Sequence, residues 1–135
     1  MPTVLKHEEA LIRAFIRPEK RARFIEQLGN PKGRAKLCAS LAHFRDLDLR
    51  FAQRVPASKH HAGDIEALLR SKGAPEQCHV VAELADLDGR DMLLGTALEA
   101  IVGRGMGALI SCIPGVLGYF ESEEAGDRYI LERTV

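Results

Sequence analysis

The chain has no tryptophan, few aromatic residues and no net charge, and each shortage disfavours a class of protein. Aromatic side chains make up 5% of its 135 residues, and cysteine occurs three times. Proteins that bind single-stranded nucleic acid commonly stack bases on aromatic side chains, so their scarcity counts against that class. Cys38, Cys78 and Cys112 form no C-x-x-C pair, and their odd number fits neither a disulfide framework nor a zinc-finger spacing. We expect buried reduced thiols, no metal and no cofactor.

Long hydrophobic runs are also missing. No segment approaches the roughly 18 apolar residues that a membrane-spanning helix needs. In the first fifteen residues, MPTVLKHEEALIRAF, charges interrupt the apolar positions, so the continuous stretch of a secretory signal is absent. These observations predict a cytoplasmic protein with no membrane partner.

The zero net charge conceals two halves of opposite sign. Residues 1–72 carry fifteen Lys and Arg against eight Asp and Glu, a net charge of +7. Residues 73–135 carry four against eleven, a net charge of −7, with histidine counted as neutral. Such asymmetry suggests either an external polyanion for the basic half or the acidic half as its internal partner.

Before residue 73 the apolar residues recur at helical spacing, with capping signals between the segments. A first stripe ends before Pro18, because proline disfavours helical backbone in the residue before it, and Pro18 then suits the first turn of a second helix. Gly29 is expected to end that helix in a left-handed conformation, and Asn30-Pro31 to cap a third helix that reaches Phe44. The first stripe comprises Leu5, Leu11, Ile12, Phe15 and Ile16.

Two further helices are predicted in the first half. Asp46 or Asp48 is expected to cap a short helix through Phe51 and Val55. Pro56, Ser58 and Gly63 then mark a loop, after which a helix is predicted over 64–71 and closed by Gly73.

After residue 75 the pattern changes to the period of two that is typical of strands. Strands are predicted over 79–82, 108–113, 116–121 and 129–133, with a helix over 94–102 that ends at Gly103. Asp88-Gly89 is a type I′ turn signal, which predicts a hairpin over 86–93. We therefore expect an α+β fold, in which an N-terminal helical cluster packs on a small, mostly antiparallel sheet with one crossover helix.

We predict a single domain that comprises residues 1–135. Residues 1–73 form its basic helical half and 74–135 its acidic β-rich half. The junction Lys72-Gly73-Ala74-Pro75 is too short to let independent domains tumble apart.

The densest positive charge spans the connection between the second and third helices. Helices joined by about three residues place their cations on a common rim, which could track phosphates or an acidic protein surface. Alternatively, the same cations form a solvent-exposed face whose charge the acidic half partly neutralises. The candidate partner-binding residues are Arg17, Lys20, Arg21, Arg23, Lys32, Arg34 and Lys36.

The glycine-rich run Gly103-Arg104-Gly105-Met106-Gly107 invites a phosphate-binding interpretation, but it follows a helix and leads into a strand, the reverse of a dinucleotide fingerprint. A helix end and a turn explain it better, and Arg104 remains a weak anion-binding candidate.

The H-H-x-x-D group of His60, His61 and Asp64 supplies too few ligands for zinc, so we favour a solvated loop. Asp86, Asp88 and Asp91 lack the order of a calcium loop, because Gly89 comes too early.

The alternative hypothesis is an enzyme that uses a cysteine as its nucleophile. Cys112 lies near a strand end, and His79 or His43 would supply the base of a Cys/His pair. Strand alternation leaves Ser111 and Cys112 on opposite faces, and a cysteine among Leu109, Ile110 and Ile113 is more often a small core residue.

Two hypotheses about function therefore stand. The leading one is a non-enzymatic intracellular interaction module, whose basic helical surface binds an acidic partner, either nucleic acid or protein, or supports a homodimer. The alternative is a small enzyme or ligand-binding protein with a pocket around Cys112, His79 and Arg104.

Overall fold

The computed structural model describes residues 3–124 and 126–133, and side chains from His7 onward, so that Leu5 lies outside the described side chains. The predicted α+β class is confirmed: N-terminal helices accompany a six-stranded antiparallel sheet. The helices are α1 (Thr3–Phe15), α2 (Arg21–Leu28), α3 (Pro31–Ser40), α4 (Ala62–Ser71) and α5 (Leu94–Ile101). The strands are β1 (Ala52–Arg54), β2 (Gln77–Ala82), β3 (Asp91–Leu93), β4 (Ala108–Ile113), β5 (Leu117–Glu121) and β6 (Arg128–Glu132). Short 3-10 turns occupy Pro18–Lys20, Leu41–His43, Leu49–Phe51 and Ala57–Lys59.

The sheet has the strand order β1-β6-β5-β4-β2-β3, and every neighbouring pair is antiparallel. Strands β3 and β4 both pair with β2, so they run parallel to each other and need a crossover. Helix α5 makes that connection, as predicted. At the opposite edge, β1 pairs with β6 through the register Ala52 to Leu131.

Helices cover both faces of the sheet, because successive strand residues point to opposite sides. Val81, Leu109 and Phe120 pack with the core residues of α1, α2 and α3. Their neighbours Val80, Ile110 and Tyr119 belong to the second core, which α4 and α5 complete. The sequence patterns suggested one helical cluster in the first half, whereas α4 lies with α5 across the sheet.

Three local predictions were wrong. Gly29 has a φ of −79°, so it is not left-handed; the chain instead turns at Asn30, whose extended backbone (φ −142°) starts α3. Residues 52–54 form the edge strand β1 rather than continuing a helix, because the Asp48-capped turn ends at Phe51. Asp88-Gly89 is not a type I′ turn, since positive φ among the described residues occurs only at glycine and that turn requires it at both positions. The hairpin predicted over 86–93 is therefore absent: residues 86–90 form a loop, and β3 pairs with β2.

Candidate basic interface and buried charge network

Helices α2 and α3 form a hairpin in which the backbones touch. Asn30 caps α3, because its Oδ1 accepts a hydrogen bond from the Gly33 amide at 2.6 Å. A Cβ on Gly33 would lie 2.8 Å from both Cα and O of Gln27, which is closer than side chains normally approach a backbone. Gly33 is therefore required by the close contact between the helices, and the contact fixes the hairpin's geometry.

Three of the seven predicted interface cations already have partners within the protein. Arg17 lies 2.7 Å from Glu19 and 3.7 Å from Asp46. Arg21 donates from Nε to the Ile16 carbonyl at 2.8 Å and lies 3.6 Å from Asp48. Arg34 is held by Glu8 and Asp88, each at 2.7 Å. The Arg17 pairs are exposed and contribute little, whereas Arg34 would have to give up several short hydrogen bonds to bind anything else.

The other four cations are Lys20, Arg23, Lys32 and Lys36, which we call the hairpin cations. Arg23, Lys32 and Lys36 are exposed and Lys20 is half-buried. None of the four forms an ion pair with any side chain described in residues 7–124 and 126–133. Glu26 is an exposed carboxylate on the same hairpin, so the surface remains positive on balance.

Arg34 lies between two carboxylates from distant parts of the chain. Its Nη1 and Nη2 donate to the two Glu8 oxygens at 2.7 Å, and its Nε and Nη2 donate to Asp88 at 2.7 and 3.0 Å. The hydrogen bonds with Glu8 and Asp88 raise the Arg34 pKa further above its ordinary value. Such bidentate pairs are among the stronger charge-assisted contacts. The guanidinium thereby joins α1, α3 and the β2–β3 loop.

His79 extends this network into the sheet. Its Nε2 lies 2.7 Å from Glu8 Oε2, and its Nδ1 lies 2.7 Å from Asp91 Oδ1. Burial alone lowers the His79 pKa, but hydrogen bonds to the two carboxylates outweigh burial and raise it. The ring also stacks on His7, whose Nδ1 lies 2.7 Å from Ser111 Oγ. We call Glu8, Arg34, His79, Asp88 and Asp91 the buried charge network after its two buried members, Glu8 and His79; the Asp91 side chain at its outer edge is 41% exposed.

Glu8 and His79, at the centre of the buried charge network, hold elements together rather than facing a substrate. The His79 side chain has no exposed surface, and that of Glu8 is 4% exposed. Sequence reasoning missed Glu8 and Asp91 as partners of His79. A signal for Glu8 was present, since it shares the core-facing helical stripe with Leu11 and Phe15, and a carboxylate on such a stripe requires a buried partner.

The structure does not bring together the residues of the cysteine hypothesis. Cys112 lies in the core beneath α4 and α5, whereas His79 points to the α1 face of the sheet. His43 is exposed and lies 3.0 Å from Glu123. Burial raises the pKa of the Cys112 thiol to about 12, so the nucleophilic thiolate is disfavoured.

The glycine-rich run ends α5 and packs against the helical layer. Gly103 and Gly105 have φ of +76° and +72°, conformations that suit glycine. A Cβ on Gly107 would collide with the Leu41 backbone. The Gly103 amide donates to Glu121 at 2.9 Å and the Arg104 amide to Ile101 at 3.2 Å, so neither amide is open to an anion.

Arg104 lines a cleft of about 540 Å³ that also contains Arg128, His60 and His61. Its guanidinium donates to the Glu99 carbonyl at 3.2 and 3.4 Å. Arg128 lies 3.5 Å from Glu121 and donates to the His60 carbonyl at 2.7 Å. Arg128 is therefore paired with a carboxylate and Arg104 is held by a backbone carbonyl, which weakens the attraction of the cleft for an anion.

The two motifs considered for metals take other roles. His60 Nε2 lies 2.9 Å from the Val55 carbonyl, and Asp64 is in the first turn of α4. Asp88 and Asp91 belong to the buried charge network. Within the described part of the chain, no three His, Cys, Asp or Glu side chains gather as a metal site would require.

No helix in the described residues is both long and apolar enough to cross a bilayer. Comparison of the chain with protein-family models, with curated proteins and with solved structures finds no match.

Proposed function

We propose that this protein is a non-enzymatic intracellular interaction module, which uses the hairpin cations to bind an acidic macromolecule. The observation that carries the proposal is the contrast within the basic surface. Arg17, Arg21 and Arg34 are occupied by internal carboxylates, whereas the four hairpin cations are left without an ion pair among the described residues. Unpaired cations on a rigid two-helix surface gain most from an external polyanion.

The cytoplasm is the compartment that we propose. Cys38, Cys78 and Cys112 are all free and buried. A reducing environment suits three thiols that form no disulfide.

A second copy of the chain is the alternative to a different partner. Exposed or half-buried carboxylates lie on both sides of the sheet: Asp64 and Glu99 on the α4–α5 side, and Glu83 beside α3, near the hairpin cations. Contacts from the hairpin cations to the first group are head-to-tail and build open chains, whereas contacts to Glu83 of a second copy can close a two-fold dimer.

The enzyme hypothesis receives less support. It needs Cys112, His79 and Arg104 around one pocket, yet Cys112 and His79 lie on opposite faces of the sheet. A buried thiol with a raised pKa adds a second obstacle.

Fluorescence anisotropy with labelled duplex DNA, duplex RNA and poly-glutamate tests the proposal. Binding should weaken as salt rises, with a log–log slope of about −3.6 on duplex DNA if all four hairpin cations contact phosphates. The triple variant R23E/K32E/K36E should lose at least tenfold in affinity. Its control, K59E/R70E/R104E, changes net charge equally at exposed positions away from the hairpin and should lose less than threefold.

Two outcomes would overturn this assignment. One is that no acidic probe binds at 20 mM salt. The other is that both triple variants lose affinity equally, because binding would then follow net charge instead of this surface.

A further inference from the structure

A shallow groove of about 400 Å³ runs between α3 and the loop that follows β2. Ala35 and Ala39 form its α3 wall, Ala85 lies on the loop side, and Cys38 lies at its base. Small side chains leave the groove open, since any larger residue at these positions would fill it. Arg34, Glu83 and Asp88 also line it, so the groove combines a small apolar floor with charged margins, along the same helix that carries Lys32 and Lys36.

The groove has fixed walls and no unmatched charge at its end. Each guanidinium nitrogen of Arg34 donates to Glu8 or Asp88, and Asp88 also accepts a hydrogen bond from the Ala82 amide at 3.0 Å. These bonds tie the β2–β3 loop to α3. Burial raises the pKa of the Cys38 thiol to about 12, which keeps the base of the groove neutral.

Charges of opposite sign flank the two walls. Successive residues of a helix are about 100° apart, so Lys32 and Lys36 form the strip of α3 next to Ala35 and Ala39. On the other wall lies Glu83, which is exposed and whose Oε1 accepts a hydrogen bond from the Gly107 amide at 3.1 Å. Lys32 and Lys36 therefore attract an occupant that presents carboxylates toward α3. Carboxylates that it presents toward the loop are repelled.

We infer that the acidic partner is a protein, which inserts an amphipathic peptide segment into this groove. Its small apolar side chains would pack on the alanine walls while its carboxylates face Lys32 and Lys36, as in other helix-in-groove recognition. This inference rests on the proposed function and names its class of partner. Nucleic acid gains little from the groove, because no aromatic side chain lines it for stacking and Glu83 repels phosphate.

The experiment uses a labelled 15-residue helical peptide with an Ala/Leu stripe flanked by Glu, a scrambled peptide of equal composition, and duplex DNA. Anisotropy at 50 mM salt gives each Kd. A39W fills the groove from an exposed position, and A22W is its control on the exposed side of α2. Circular dichroism verifies that each variant is folded.

A39W should weaken peptide binding at least tenfold and change duplex binding less than twofold, while A22W changes neither. K32E/K36E should weaken peptide binding by a similar factor or more, and the scrambled peptide should bind at least fivefold more weakly. The groove assignment is overturned if A39W has no effect, if the scrambled peptide binds equally, or if only duplex DNA binds. In each of these cases the proposed function still stands, provided that K32E/K36E weakens the binding that is observed. If K32E/K36E leaves all binding unchanged, the proposed function fails as well.

Discussion

His79 Nε2 and Glu8 Oε2 lie 2.7 Å apart, although 71 residues separate the two side chains in the sequence and both are closed to solvent. This contact anchors α1 to the centre of the sheet. Glu8 accepts hydrogen bonds from Arg34 as well, so the carboxylate balances two cationic groups in a setting from which water is largely excluded. Removal of one member leaves the others buried without a partner, which is the costly case for internal ion pairs.

Replacement of Glu8 by Gln should lower the free energy of unfolding by about 3 kcal/mol, because Arg34 and His79 lose their shared counter-charge. Urea denaturation at pH 6 measures the effect. Glu9→Gln is the matched control, since Glu9 forms only an exposed pair with Arg13, and it should change stability by less than about 0.5 kcal/mol. Equal effects of the two changes would contradict the role assigned to Glu8.

Stability should depend on pH in a direction set by His79. Its folded pKa is raised, so its contribution is fully present below its unfolded pKa of about 6.5 and is lost as pH rises through the folded pKa. Glu8 acts in the opposite direction: burial raises its pKa, but hydrogen bonds from Arg34 and His79 outweigh burial and lower it. Its contribution is therefore present above about pH 4.3 and is lost as pH falls through the folded pKa.

The measurement is the urea midpoint of wild type and His79→Gln between pH 4 and pH 9. Wild type should lose stability as pH rises above about 6.5, and the variant should show a flatter profile over that interval. Parallel profiles for the two proteins would show that another group controls the pH dependence.

Gly33 and Gly63 should respond oppositely to replacement by alanine, although both lie in helices. Gly63→Ala should stabilise the protein by about 0.5 to 1 kcal/mol, because no atom lies within 4 Å of the added Cβ and alanine favours helix. Gly33→Ala should destabilise it, since the added Cβ would lie 2.8 Å from the Gln27 backbone. Thermal denaturation of both variants provides the comparison, and a stabilising Gly33→Ala would contradict the close packing of the hairpin.

The three cysteines should all react slowly in the folded protein. Burial raises the pKa of Cys38, Cys78 and Cys112 to about 12, which leaves roughly a thousandfold less thiolate than a free thiol of pKa 9. Iodoacetamide labelling at pH 7.5, followed by mass spectrometry, should show little modification until urea is added. Rapid selective labelling of Cys112 would revive the enzyme hypothesis.

The sequence predicted most helices and strands because local signals determine them. Pro31 and Asn30 fixed the start of α3, and a short apolar run before the Pro114-Gly115 turn identified residues 108–113 as a strand. Contacts between distant residues carried no such signal. The contact of β1 with β6 depends on tertiary pairing of a three-residue segment, and the position of α4 depends on which face of the sheet receives Ile65 and Leu69.

The candidate surface was predictable only in part for a similar reason. Counting charges identified seven cations around the α2–α3 connection, but it could not separate the solvent-exposed cations from those that form ion pairs within the protein. Arg34 and Lys32 are two residues apart, yet one is held by Glu8 and Asp88 while the other is exposed. The partners of Arg34 are 26 and 54 residues away.

The pairing of β1 with β6 makes the two halves of the chain depend on each other. The first half supplies an edge strand and α4 to a sheet whose other five strands come from the second half. A cut between residues 72 and 77 would separate two fragments, each of which exposes an apolar surface that the other covers. We therefore expect neither fragment to fold alone and the mixed fragments to recover the native state together, so that the opposite charges of the halves would assist their reassembly.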